Sequence, residues 1–270
     1  MTKPQTLDQI QVVLVEPTHP GNIGAVARSM KTMGLSRLVL VNPKKFPHYE
    51  ASKRAAGAES VLSDAQVVPD LAGAVSDCSL VLGTSVRDRE VIWPTHEPRQ
   101  AAAEVLLHLR TEASKAAGAT GTAAILFGRE SSGLTNEELD LCQSQIRIPA
   151  NQEYSSLNLA SAVQIICYEL RLAALETVSP MTQQPTSPEA ALSPLERRQL
   201  SATQAQRSGH LEHLSEMLKE LDFVKAESST MLMRKLTRLY NKAELTVEEI
   251  QILRGILSAV QDQLSENGQK

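Results

Sequence analysis

Four stretches of the sequence place small, hydroxyl, amide or carboxyl side chains directly after short apolar runs. The residues concerned are Asn22 and Gly24, Thr84 and Ser85, Gly128 and Glu130, and those at 155–158. Where such residues precede a helix, the free backbone N–H groups of its first turn add further donors. Stretches of this kind can bind a polar ligand and orient it, largely through backbone groups.

The fourth stretch links a predicted strand to a predicted helix. The apolar run at 145–150 is stopped by Pro149 and by the polar residues from Asn151. The helix is indicated by apolar residues at spacings of three and four, namely Leu159, Val163, Ile166 and Leu170. Taken alone, this stretch has a simpler explanation, in which Ser155 or Ser156 is only the N-cap of the helix.

The surrounding sequence alternates between strand and helix patterns. Apolar runs predict strands at 11–16, 37–42, 79–83 and 123–127, with a minor strand at 65–69. Helices are predicted from 21 to a Gly34 C-cap, at 71–76, at 100–117 and after a capping box that begins at Thr135. This alternation indicates an α/β domain with a mostly parallel sheet. Because ligands bind beyond the carboxyl ends of parallel strands, the four stretches should form a site at one edge of the sheet.

Composition narrows the function classes without naming one. The hydrophobic fraction of 42% is ample for a core, while aromatic residues, at 3%, speak against a surface built from stacking platforms. The net charge of -4 gives no global sign of nucleic-acid binding. Basic residues nevertheless outnumber acidic ones seven to one at 19–54 and five to one at 225–242. Such clusters can equally be solvated faces.

Cysteine and histidine placement indicates neither a disulfide framework nor a metal site. Cys78, Cys142 and Cys167 are scattered, which favours a reducing compartment. His210 and His213 stand three apart on a predicted helix and, without further ligands, are expected to face solvent rather than a metal. The sequence has no leader pattern and no apolar run of membrane-spanning length, so we expect a cytoplasmic protein.

Three common ligand-binding signatures are missing from the sequence. The turn Gly21-Asn22-Ile23-Gly24 differs from the Gly-x-Gly-x-x-Gly of dinucleotide-binding proteins, and Asn42 stands where an acid would bind ribose. No Gly-Lys-Ser/Thr phosphate-binding loop occurs. The glycine-rich loop that follows the first strand in the common methyltransferase fold is absent as well.

Three segments, at 22–28, 126–134 and 148–158, resemble the SPOUT class of RNA methyltransferases in sequence and order. Within that class the chain is most similar to the tRNA 2′-O-ribose methyltransferases of the TrmH/TrmJ type, over about the first 176 residues. The form Ser155-Ser156-Leu157-Asn158, with Gly83-Thr84-Ser85, resembles the TrmJ group most. The resemblance implies a trefoil knot, S-adenosylmethionine as cofactor, nucleotide 32 of tRNA as target, and a homodimer that binds RNA across both chains.

The resemblance also implies roles for individual residues. The cofactor-binding residues would be Thr84, Ser85, Val86, Gly128, Ile148, Ser155, Ser156 and Leu157. The catalytic residues would be Arg28, Asn22, Glu130, Ser156 and Asn158. Since a guanidinium has a pKa above about 12 and is a poor base, we expect Arg28 to stabilise a developing alkoxide or to hold a phosphate.

The C-terminal part has a different composition. Residues 177–194 contain four prolines among Ser, Thr and Gln, which predicts a linker between a domain at 1–176 and a helical unit at 195–270. Two leucine stripes and a Thr246 capping box predict the helices of that unit. Arg234, Arg238 and Lys242 share one helix face and are expected to contact tRNA phosphates. The alternative is that they only solubilise a packing helix.

Other functions remain open at this level. A catalytically silent RNA-binding relative need not keep all five catalytic residues, and rRNA could replace tRNA as substrate. A small-molecule α/β enzyme would not need the basic residues around the Arg28 helix.

Overall fold

Within the described residues, seven short strands form one sheet in which every pairing is parallel. The strands are β1 (Ile10–Val15), β2 (Arg37–Val41), β3 (Gln66–Val68), β4 (Leu80–Thr84), β5 (Thr95–His96), β6 (Ala123–Phe127) and β7 (Ser144–Ile146). Their order across the sheet is β3-β2-β1-β6-β4-β7-β5. The computed structural model describes residues 5–86, 93–115, 121–151, 153–176, 198–223 and 229–267.

The described helices begin with a short 3₁₀ helix, Gln5–Gln9, and seven helices alternate with the strands. These are α1 (Pro20–Met33), α2 (Tyr49–Ala55), α3 (Glu59–Ser63), α4 (Leu71–Val75), α5 (Pro98–Lys115), α6 (Asn136–Asp140) and α7 (Leu159–Glu176). Three more follow in the C-terminal part: α8 (Gln204–Glu220), α9 (Ser229–Lys242) and α10 (Val247–Asn267). None of the helices in these described ranges is long and apolar enough to cross a membrane.

The central strand β1 shows how the sheet separates two cores. Ile10, Val12 and Leu14 belong to the core under α1, α5 and α7, whereas Val13 and Val15 belong to the core on the other face. Side chains alternate between the faces of a strand, so an unbroken apolar run is the pattern of a strand that is covered on both sides. The prediction of a mostly parallel α/β sheet from such runs is confirmed.

The predicted element ends agree with the structure except at the fourth stretch. Gly34 closes α1 with φ of 88°, and Thr135 begins α6 with a complete capping box. The predicted strand at 145–150 ends at Ile146, because its neighbour β4 ends at Thr84, the partner of Ile146 in the register. Residues 116 and 117 of the predicted helix lie outside the described residues. The trefoil knot stays a prediction.

The C-terminal helices dock on the first domain through a seam of hydrogen bonds. At the start of α8 the backbone N–H groups of Gln204 and Ala205 donate to the carbonyls of Cys78 and Ser76, at 2.9 and 3.1 Å. On α9, Asn241 Nδ2 donates to the Cys142 carbonyl at 3.0 Å. The predicted linker at 177–194 lies outside the described residues, and the division of the chain at that linker stays a prediction.

The leucine stripes are only partly internal. Leu214, Leu257 and Met217 form a small core between α8 and α10, whereas Leu221 and Leu239 are exposed. The Thr246 capping box is present: the Glu249 carboxylate accepts from the Thr246 N–H at 2.8 Å, and the Thr246 hydroxyl accepts from the Glu249 N–H at 3.3 Å.

Two expectations about this unit are wrong. Arg234 does not offer its charge to phosphates, because its guanidinium donates to Asp140 at 3.0 Å and to Glu137 at 2.7 Å on α6. His210 does not face solvent, because α9 covers it and its ring meets the edge of Tyr240 with a centroid distance of 4.8 Å. None of these three partners lies close in sequence to the residue that it contacts, so local spacing could not reveal the contacts.

Candidate active site at the carboxyl edge of the sheet

Four adjacent strands, β1, β6, β4 and β7, bring the four polar stretches to the same edge of the sheet. A cavity lies there, between the ends of β4, β6 and β7 and the start of α7. Its wall contains Thr84, Ser85, Val86, Gly128, Ile148, Ser156 and Leu157, together with Glu130 and the rest of the loop at 128–134. Ser155 is not among the lining residues, although it belongs to the same predicted set.

The loop at 128–134 is a closed turn with no space for an extra carbon at its start. The Arg129 N–H donates to the Gly133 carbonyl at 3.2 Å, and the Gly133 N–H donates back at 2.8 Å. A Cβ on Gly128 would lie 2.0 Å from the Gly133 carbonyl carbon, and Gly133 itself has φ of 69°. Both glycines are therefore required by backbone geometry.

Arg129 holds this loop against two other elements. Its Nε donates to Glu16, just beyond β1, at 2.9 Å, and its two terminal nitrogens donate to both oxygens of Glu138 at 3.1 and 3.0 Å. The hydrogen bond from Arg129 lowers the pKa of Glu16, and the two carboxylates raise the pKa of Arg129. The ion pairs of Arg129 with Glu16 and Glu138 were not predicted from the sequence. The one local feature that pointed to Glu138 was its place in the Thr135 capping box.

Glu130 joins the cavity to the start of α1. Its carboxylate accepts from the Thr18 N–H at 3.1 Å, the Thr18 hydroxyl at 2.9 Å, the His19 N–H at 3.2 Å and Asn22 Nδ2 at 3.1 Å. All of these donors are neutral groups. Partial burial opposes ionisation of Glu130, but the hydrogen bonds from Asn22 and Thr18 outweigh it and leave the pKa below its ordinary value. Glu130 is therefore an anion at neutral pH, with its oxygens occupied.

Asn22 carries the connection to the fourth stretch. Its Oδ1 accepts from Asn158 Nδ2 at 3.2 Å, and Asn158 Oδ1 accepts from the Ala160 N–H at 3.0 Å. Because Glu130 can only accept, the amide orientation of Asn22 is determined by the network, and that of Asn158 follows from it. The N-cap of α7 is thus Asn158, and the explanation of Ser155 or Ser156 as N-cap is wrong.

Arg28 is separate from this network. It lies on α1 six residues after Asn22, about 9 Å along the helix axis at 1.5 Å per residue. Its side chain is exposed and does not line the cavity. Among the described residues, no ion pair engages its guanidinium. The structure therefore brings Asn22, Glu130, Ser156 and Asn158 together and leaves Arg28 outside this group, exposed on α1.

A second cavity, of about 490 Å³, lies at the opposite ends of β4 and β7, against α5 and the C-terminal unit. None of the predicted site residues lines it. Its wall includes Arg207, a residue that is 6% exposed and whose guanidinium donates to the Ser79 and Ala202 carbonyls and to Gln204. Burial lowers the pKa of Arg207 to about 10.

Comparison with known proteins assigns the arrangement to a family. Residues 9–168 match the SpoU rRNA Methylase family, and residues 205–269 match the C-terminal domain of the tRNA methyltransferase TrmJ. The chain belongs to the SpoU methylase family, in its TrmJ group. The TrmJ of Pseudomonas aeruginosa, a tRNA (cytidine/uridine/adenosine-2′-O-)-methyltransferase, is 45% identical, with 94% of this chain and 95% of that protein covered. The Pectobacterium atrosepticum TrmJ, a tRNA (cytidine/uridine-2′-O-)-methyltransferase, is 44% identical over 94% of this chain and 98% of its own.

Solved structures agree with this assignment. The crystal structure of TrmJ from Z. mobilis ZM4 superposes with a TM-score of 0.74 at 32% identity, covering 93% of this chain and 98% of that one. A probable methylase family protein from Haemophilus influenzae Rd KW20 gives a TM-score of 0.59 at 39% identity, with 97% and 99% covered. The expected membership of the TrmJ group is confirmed.

Proposed function

We propose that this protein transfers a methyl group from S-adenosylmethionine to the ribose 2′-hydroxyl of tRNA, at nucleotide 32 of the anticodon loop. The observation that carries the proposal is the junction of the cavity with the start of α1 through Glu130, Asn22 and Asn158. The cavity lies at the sheet edge where α1, the helix that carries the exposed Arg28, begins. The TrmJ relatives, which are named as tRNA 2′-O-methyltransferases, supply the reaction.

The cavity suits S-adenosylmethionine in the chemistry of its walls. Val86, Ile148 and Leu157 offer apolar surface for a purine ring, while Ser156 offers hydroxyl and backbone groups for polar atoms. The cofactor, when bound, supplies an electrophilic methyl group on a sulfonium centre. The Glu130 carboxylate on the same wall complements that positive charge.

The protein residues would position the ribose hydroxyl and stabilise it as it loses its proton. Correct placement of two reacting groups can lower a barrier by about 7–11 kcal/mol. A guanidinium is a poor base, so Arg28 would act by charge, on the developing alkoxide or on a flanking phosphate. Glu130 already accepts from four donor groups, so its role is to hold Asn22 and the start of α1 rather than to take a proton.

The C-terminal unit would contribute to tRNA binding through the basic residues of α9 that have no ion-pair partner among the described residues. Since Arg234 is engaged by α6, these are Lys235, Arg238 and Lys242. A chain that ends near Leu175 should keep its affinity for the cofactor and lose affinity for tRNA. If the truncated chain methylates tRNA as well as the full chain, the C-terminal unit does not bind tRNA and serves only the stability of the fold or contacts between protein copies.

We further propose that the protein is a cytoplasmic homodimer. An acidic chain with two separate basic clusters gains positive potential when two copies place those clusters around one RNA. The mass of the active protein at micromolar concentration tests this, and an active monomer would contradict it.

The function is tested by incubating the purified full chain with bulk tRNA and labelled S-adenosylmethionine, followed by nucleoside analysis. We expect a 2′-O-methylated nucleoside that maps to position 32. Calorimetry with the cofactor alone separates a catalytic protein from a silent relative. Because the matching family is described as rRNA methylases, rRNA is the second candidate substrate, and transfer to rRNA but not to tRNA would favour it.

A further inference from the structure

The connection between β2 and α2 places one exposed aromatic ring beside the candidate site. Tyr49, the first residue of α2, is 76% exposed, although aromatic residues form only 3% of the chain. Burying a tyrosine ring in a folding protein is favourable, so a ring left in solvent has no role in the core. The neighbouring His48 ring lies 4.9 Å away between centroids, tilted by 36°, and leaves Tyr49 open to solvent.

This connection is attached to the site by its backbone. The Lys44 N–H donates to the Pro17 carbonyl at 3.2 Å, and the next residue, Thr18, donates to Glu130. On α2, the Glu50 carboxylate approaches His19 Nδ1 at 3.9 Å, and His19 donates its own N–H to Glu130. Tyr49 is therefore placed by the same contacts that hold the start of α1.

The surface around Tyr49 is positively charged. Lys44, Lys45, Lys53 and Arg54 lie within five residues of it, all four are exposed, and none has an ion-pair partner among the described residues. The one acid of this stretch, Glu50, is directed at His19 instead. Unpaired cations around an open aromatic ring suit a polyanion that also presents flat rings, which is the chemistry of a single-stranded RNA loop.

We propose that Tyr49 stacks on one unpaired base of the tRNA loop that contains the methylated ribose. The surrounding lysine and arginine side chains would bind the phosphates on either side of that base. This inference rests on the proposed function and adds a binding residue to it. Stacking accepts any base, because every base has a π-face, so Tyr49 holds the loop open without selecting its sequence. Base selection must then come from other contacts.

The first test compares substitutions at Tyr49 in the full chain. Tyr49→Ala and Tyr49→Leu should each raise the KM for tRNA by about tenfold, within the range for loss of one base–aromatic stack. Tyr49→Phe and Tyr49→Trp keep a flat ring and should bind tRNA as the unchanged protein does. Cofactor affinity and the melting temperature should not change in any of the four, because the ring is exposed. Unchanged tRNA affinity in Tyr49→Ala would overturn the proposal.

The second test identifies the base. tRNAs with a single abasic nucleotide at successive unpaired positions of the anticodon loop are bound to the unchanged protein and to Tyr49→Ala. At one position, removal of the base should weaken binding to the unchanged protein about tenfold and have no further effect on Tyr49→Ala, which is the coupling expected of a direct contact. Additive losses at every position would contradict stacking.

A third measurement separates RNA stacking from a contact between protein copies. If Tyr49→Ala and Tyr49→Leu change the molar mass of the protein in solution, the ring belongs to a protein interface and the inference is wrong. Failure of the proposed function gives a different result from failure of the Tyr49 proposal, because the unchanged protein would then not methylate tRNA.

Discussion

Two regions join distant parts of the chain by polar contacts: the site edge, which is the network around Glu130, Asn22 and Asn158, and the seam between the first domain and the C-terminal unit. The two regions differ in whether their charged groups are paired with opposite charges. At the site edge, the Glu130 anion is held by neutral N–H and O–H donors, so its charge is not cancelled. At the seam, Arg234 meets two carboxylates of α6 directly. At the site edge the Glu130 charge is not neutralised and can attract a cationic ligand. At the seam the charges of Arg234 and its two carboxylates neutralise one another and hold the two units together.

This difference predicts separable effects. Substitutions at the site edge should alter methyl transfer more than the free energy of unfolding, and substitutions at the seam should do the reverse. Four variants test this contrast and are given in order of decreasing expected effect.

Arg28→Ala should have the largest effect, because the proposed role of Arg28 lies in the transfer step and its guanidinium takes no part in the hydrogen bonds around Glu130. We expect the rate of transfer to tRNA to fall by about 10²–10³-fold, the range for loss of one electrostatic stabiliser. Calorimetric affinity for S-adenosylmethionine should stay unchanged, since Arg28 does not line the cavity. A large loss of cofactor affinity would contradict the assignment, and Arg28→Lys serves as the charge-preserving control.

Glu130→Gln should lower the transfer rate by about tenfold or more, because the new amide group cannot accept from all four donors, so Asn22 and the start of α1 lose their fixed positions. The pH dependence has a definite sign. The folded pKa of Glu130 lies below its ordinary 4.5, so its contribution to stability is present above that value and is lost as the pH falls through the folded pKa. The gap in melting temperature between the two proteins should narrow in acid, and a constant gap would contradict the network.

Arg234→Ala should lower the free energy of unfolding by about 2 kcal/mol, because it leaves the partly buried Asp140 without its partner. Burial raises the pKa of Asp140 and Arg234 counteracts this, so without Arg234 the pKa rises further. The deficit should therefore exist at neutral pH and shrink as the pH falls and the carboxyl takes up a proton. Urea unfolding at several pH values measures this. Arg238→Ala is the matched control and should change tRNA binding rather than stability.

Asn241→Ala should have the smallest effect. It removes a single neutral hydrogen bond to the Cys142 carbonyl, which Trp93 Nε1 also reaches at 3.2 Å, so about 1 kcal/mol of stability is expected to be lost. The transfer rate on tRNA should stay the same. A loss of transfer as large as that of Glu130→Gln would mean that the seam and the site edge are one functional unit.

The sequence predicted most elements of the first domain and the convergence of its polar stretches, because both depend on local periodicity and on a general property of parallel sheets. It gave no prediction for α2, α3 or β5. It did not predict contacts that depend on how separate elements dock. Arg234 has an exposed, basic pattern in the sequence, yet its partners are about ninety-five residues earlier. Arg129 and Thr18 were missed for the same reason, since each acts through a partner more than a hundred residues away.

The seam has a consequence for how the chain is made. The first domain leaves the ribosome before residues 204–241 do, so during synthesis the partners of the later helices face water. These partners are the carbonyls of Ser76, Cys78 and Cys142 and the carboxylates of α6. Water hydrates such groups well, unlike an exposed apolar face, which would invite aggregation of a half-made chain. Because the seam is polar, the first domain can fold and stay soluble before the last quarter of the protein emerges and docks.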